Sequence, residues 1–101
     1  MEGSAKQKVP GGKLLSIKVK YGKKVEKIEI LGDFFLYPEE ALSEIEKSLT
    51  GIDTNLAENE ITIMVQSVVD KEGAELVGIT PEAIASTLRS AIKNGMESNS
   101  A

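Results

Sequence analysis

This sequence predicts an α+β fold: a small antiparallel sheet, a β-hairpin with or without a short third strand, packed against about three helices. Three observations predict it. Two stretches before residue 32 alternate apolar and polar side chains around a Gly-Lys-Lys turn, the pattern of a hairpin. Three later stretches repeat apolar residues at helical intervals. Glycine, proline or threonine stands at most of their ends, where caps and turns need them. A length of 101 residues argues for one domain with a modest core.

Residues 1–7 are small and polar and are expected to be disordered. "KVPGGK" (8–13) follows as a turn or mobile entry, because Pro10, Gly11 and Gly12 prevent helix. In "LLSIKVKY", Leu15, Ile17, Val19 and Tyr21 share one face and Ser16, Lys18 and Lys20 the other, which makes a half-buried strand. "VEKIEIL" alternates again, with Ile28 and Ile30 inward, and Gly32 and Asp33 end it. The first helix is expected over about 38–50. Pro38 suits its first position, Glu39 and Glu40 suit its positive N-terminal end, and Gly51 stops it. Leu42, Ile45 and Leu49 form its buried stripe.

The stretch from Asn55 to Gly73 reads two ways. Ile61, Thr62, Ile63 and Val65 favour strand by propensity, giving a strand at 60–69. Ile61, Met64, Val65, Val68 and Val69 repeat at helical spacing, with Asn55 and Glu58 as a capping box and Gly73 as a stop. The spacing favours a helix over 56–71. "AELVGI" is a short strand or extended link. In the last helix Thr80 is the cap, Pro81 the first residue and Gly95 the stop, and residues 96–101 are a polar tail. The domain itself is expected over 8–95.

Composition narrows the chemistry. With no cysteine and no histidine, disulfides, thiolate catalysis and the usual general base near neutral pH are absent. "DKEGAE" has too few ligand positions for a calcium loop. No apolar run approaches the roughly 18 residues of a membrane span, and "MEGSAKQKVPGGK" lacks the apolar core of a signal peptide, so a cytoplasmic protein is expected. Residues 1–27 hold eight lysines against Glu2 and Glu26, whereas residues 28–101 carry four basic groups against fourteen acids. The front end could attract an anion, or its lysines could simply be the wet face of an edge strand. Nucleic acid fits poorly, because the remainder is acidic and no aromatics interleave with the outward lysines.

Two stretches stand out. Gly11 and Gly12, flanked by Lys8 and Lys13, could form a phosphate-holding nest of N–H groups, although the Walker spacing is absent. Gly32, Asp33, Phe34 and Phe35 form an aromatic corner. Consecutive rings in extended chain point opposite ways, so one enters the core and the other is covered by later helices or anchors a partner.

"KVPGGKLLSIKVKYGKKVEKIEILGDFFLYPEEALSEIEKSLTGI" resembles the C-terminal accessory domain of lipoate–protein ligases. The likeness rests on the Gly12-Lys13 step, the Gly32-Asp33-Phe34-Phe35 corner, the Pro38-Glu39-Glu40 helix start and the terminal Leu49-Thr50-Gly51. It is close over residues 8–52 and looser beyond, where the Ile/Val-rich stretch departs from the family's Leu-rich pattern. The chain is expected to be this domain alone, similar to the small subunit of a bipartite, archaeal-type ligase. The resemblance implies a large catalytic subunit as partner in a heterodimer, with ATP, Mg and lipoate bound in the complex and none by this chain alone. It implies formation of lipoyl-AMP and then transfer to a lysine of an acceptor, a lipoyl domain of a 2-oxoacid dehydrogenase or the glycine-cleavage H protein. The resemblance further implies that the small subunit is needed chiefly for adenylation and much less for transfer, and no catalytic residue is expected in this chain. Lys8, Gly11, Gly12, Lys13, Gly32, Asp33, Phe34 and Phe35 are the residues expected to bind the partner or complete its active site. The alternative is a generic α+β ligand-binding or protein-interaction module.

Overall fold

The computed structural model describes residues 1–9 and 13–99. Along the chain run β1 (Glu2–Val9), β2 (Lys13–Tyr21), β3 (Val25–Gly32), β4 (Phe35–Tyr37), α1 (Glu40–Leu49), α2 (Glu58–Glu72), β5 (Glu75–Val77) and α3 (Pro81–Asn99). Strands β1, β2 and β3 form one antiparallel sheet in that order, and β4 and β5 form a separate two-stranded ribbon. α3 lies against β1 and β2, α1 against β3, and α2 against both helices. The α+β class follows as the alternation and helical spacing imply.

The inward sides of β2 and β3 supply Leu15, Ile17, Val19, Tyr21, Ile28 and Ile30 to the core. Ala41, Ile45 and Leu49 of α1 meet them, with Ile61 and Val65 of α2 and Ile84, Leu88 and Ile92 of α3. Each such Leu or Ile is worth about 1.5–3 kcal/mol when fully buried. Helical spacing therefore wins over strand propensity at α2, because Ile61, Val65 and Val69 all turn inward. Glu46 of α1 accepts the N–H of Ile30 at 2.9 Å, which ties the helix to the outer edge of β3.

Several expectations are corrected. Residues 1–7 are not a disordered lead but most of β1, so the fold extends beyond the expected 8–95. Tyr21 donates its N–H to the Met1 carbonyl at 2.9 Å, and the terminal amine donates to the Tyr21 carbonyl at 2.7 Å. Small residues then let α3 approach. A Cβ on Gly3 would collide with the Ala91 carbonyl, and one on Gly95 would lie 2.5 Å from the Tyr21 hydroxyl. Thr87 donates to the Gln7 Oε1 and Asn94 to the Ser4 carbonyl, each at 2.9 Å. Gly95 therefore does not stop α3. The helix runs on through the expected polar tail to Asn99, and 100–101 lie outside the described residues.

Other helix boundaries also differ. α1 begins at Glu40 rather than Pro38, after a turn in which Ala41 donates to the Pro38 carbonyl. The Asn55–Glu58 capping box does not form. Ala57 holds the cap position of α2, and Asn55 donates its N–H to Asp53 instead. Gly73, at φ 59°, does end α2, and Thr80 caps α3 by accepting the Ala83 N–H at 3.0 Å. The third strand of the main sheet is β1. "AELVGI" supplies β5, which pairs only with β4.

Candidate functional site

The predicted site residues gather at one end of the sheet, except for Gly11 and Gly12, which lie outside the described residues. Register places Lys8 opposite Leu14 and Leu15 opposite Gly32. Asp33 donates its N–H to the Leu14 carbonyl at 2.9 Å, closing the end of the hairpin. Gly32 is required there. Its φ is 156°, and a Cβ would strike both the Leu14 carbonyl and the Phe34 ring.

Past Gly32 the chain leaves the sheet and pairs with β5. Phe34 turns inward and packs, half-buried, against the core, while Phe35 turns outward and is 71% exposed. The expected split between consecutive rings is what the structure shows, and no later helix covers Phe35. Leu36 is buried, and Tyr37 emerges beside Phe35 at 73% exposure. Phe35 faces Val77, and Tyr37 faces Glu75 across the ribbon. Cross-strand partners share a face, so Phe35, Tyr37 and Val77 form one apolar surface. Leu14 and Leu31 are exposed on the outer face of the main sheet near the same end.

In the sequence Tyr37 clusters with Phe34 and Phe35 without counting among the expected site residues, and Val77, Leu14 and Leu31 do not stand out there. The signal was present in "FLY" and "ELV", whose alternation puts the outer two residues of each on one side. Reading Pro38 as the helix start hid the first. Exposed acids rim the corner in sequence, with Asp33, Glu39, Glu40 and Glu75 around its rings.

The lysines do not converge. Lys8 is an even position of β1 and faces outward with Leu14, whereas Lys13 has the parity of the inward residues and lies near Gly78 at the end of β5. The two therefore address opposite faces of the β1–β2 ribbon. Among the described residues no group of three or more Asp or Glu side chains is placed to hold a metal ion. The perturbed group that stands out is Tyr21, away from this corner. Burial pushes its phenol above the ordinary 10.0, with the Met96 backbone hydrogen bond acting in the opposite sense. Its hydroxyl donates to the Ile92 carbonyl at 2.5 Å. The corner offers apolar area and backbone geometry, with no nucleophile and base in contact. That composition suits association.

No family model matches the chain, and no curated protein matches it. A solved structure does. The chain is similar to one from an archaeal lipoylation system. That system is a bipartite lipoate protein ligase and its E2 lipoyl domain from Thermoplasma acidophilum. The likeness has a TM-score of 0.73 and 26% identity, and it covers 88% of this chain and 96% of the other. A likeness this complete supports a lipoate-ligase-related role. Among the described residues no helix is long and apolar enough to cross a membrane.

Proposed function

We propose that this chain is the accessory subunit of a two-component, ATP-dependent lipoate–protein ligase. It joins a large catalytic subunit and is required for lipoate adenylation before the lipoyl group passes to an acceptor lysine. The observation that carries this reading is the likeness to a chain of a bipartite ligase system over nearly the whole of both chains. The corner is in keeping with it, because exposed aromatic area beside a constrained glycine fits a surface that meets another protein.

In this mechanism the large subunit holds lipoate, ATP and Mg. The lipoate carboxylate oxygen attacks the α-phosphorus, the bond to the β-phosphate oxygen breaks, and pyrophosphate leaves. This chain supplies no reacting atom. Docking of its corner orders a loop of the large subunit so that carboxylate and α-phosphate meet in line, where effective concentration counts for most of the gain. Lys8 or Lys13 offsets charge on the departing pyrophosphate. Since they face opposite ways, only one can serve that phosphate, and the single Ala variants separate them.

The test is ATP-dependent lipoylation of an acceptor domain by the large subunit, with and without this chain, beside a reaction started from lipoyl-AMP. The expected result is dependence on this chain from ATP and little or none from lipoyl-AMP. Equal rates with and without this chain, both from ATP and from lipoyl-AMP, would remove the ligase reading.

A further inference from the structure

The face of the main sheet turned away from the helices carries a second surface, at the end opposite the aromatic corner. Its outward residues fall into rows across the strands. Glu2, Lys20 and Lys27 make one row, and Ser4, Lys18 and Glu29 the next. Lys6 follows along β1, and Lys8 beyond it belongs to the corner end and not to this surface. Neighbours in a row stand roughly 5 Å apart, and successive rows about 7 Å apart. Over the first two rows lies an open groove of about 600 Å³, bordered by Asn94 of α3.

Lys20 and Lys27 stand directly opposite each other in the register. Like charges so placed destabilise a sheet. Among the described residues no ion pair within 4.0 Å is formed by Lys20 or Lys27. Lys18, Lys20 and Lys27 outnumber Glu2 and Glu29 along these rows, a local excess of one positive charge centred on the Lys20–Lys27 pair in a chain whose net charge is −4. Edge protection favours a lysine on the β3 edge but does not require it to stand directly opposite Lys20.

We propose that this groove docks an acidic loop of a protein partner, with a partner carboxylate seated between Lys20 and Lys27. Protein is favoured over nucleic acid by two features. No aromatic side chain lies on the outward face of β1, β2 or β3 to stack a base. Glu2 and Glu29 stand within the lysine rows, where they would repel a continuous phosphate backbone but can take basic residues flanking an acidic loop. The surface is separate from the corner, so it does not depend on the ligase reading.

The experiment is an amide-shift titration of the full chain with a short peptide in which paired glutamates are flanked on both sides by lysines, and in parallel with an oligothymidylate. The peptide is expected to move the amides of Lys18, Lys20, Lys27 and their neighbours. Raising sodium chloride from about 0.05 to 0.5 M is expected to weaken binding at least tenfold. Lys27→Glu is expected to weaken it about tenfold without lowering the melting temperature, because it turns a repelling pair into an attracting one. Lys71→Glu on α2 makes the same change in net charge and should leave binding intact. Absence of shifts on this face, equal loss with Lys71→Glu, or tighter binding of oligothymidylate would overturn the proposal.

Discussion

Tyr21 shows how much one buried polar atom can carry. It has no exposed surface, closes the first strand pair through its backbone, and ties β2 to α3 through its hydroxyl at Ile92. Tyr21→Phe removes one hydrogen bond while keeping the ring, so a loss of about 1 kcal/mol is expected in urea unfolding near neutral pH. The pH dependence has a definite sign. A phenol held above its ordinary 10.0 keeps its proton better in the folded state. Its stabilisation is therefore fully present below pH 10 and fades as pH rises past that value towards the folded one. Lysine titration is common to both proteins, so the difference between parent and Tyr21→Phe should shrink above pH 10. A difference that grows instead would mean the hydroxyl is not buried as described.

At the scale of elements, the contact between β1 and α3 was the hardest to read from sequence. The reason is visible in the residues that make it. Inward positions of β1 are Gly3, Ala5 and Gln7, which serve close approach and one hydrogen bond, and then Val9, the one large aliphatic residue among them, so the strand shows no apolar period. Gly95 reads as a helix stop but is the place where the β1 backbone crosses α3. By contrast, β2, β3, α1 and α2 bury large aliphatic side chains, and their periods were legible. The corner was legible in part, because Phe34 and Phe35 are adjacent, whereas Val77 reaches it only through pairing distant in sequence. Gly95→Ala tests the account. In an ordinary helix the change would gain up to about 1 kcal/mol. Here the new Cβ would lie 2.5 Å from the Tyr21 hydroxyl and 2.7 Å from the Glu2 carbonyl, and one of those is backbone. Overpacking of this kind costs about 1–3 kcal/mol, so a lower melting temperature with faster amide exchange along β1 is expected. A stabilised variant would show that β1 does not dock there.

Across the whole molecule, covered and uncovered apolar surface are cleanly separated along the β4–β5 ribbon. Leu36 is 6% exposed and belongs to the core, while its neighbours Phe35 and Tyr37 stand in solvent. Stability and association should therefore separate by residue. Leu36→Ala is expected to cost about 2–5 kcal/mol of folding stability. Phe35→Ala and Tyr37→Ala remove rings that the isolated chain does not use, so each should change stability by no more than about 0.5 kcal/mol. If this face meets a catalytic subunit, either ring is expected to be worth about 2 kcal/mol of binding, roughly thirtyfold in Kd. Calorimetric titration with the large subunit reads that term directly, and lipoylation from ATP at subsaturating chain should fall with it and recover at higher concentration. A double variant that folds as the parent does and binds the large subunit equally well would move the docking surface away from this ribbon. The lysine face at the other end of the sheet would be unaffected by that result, since it shares no residue with the ribbon.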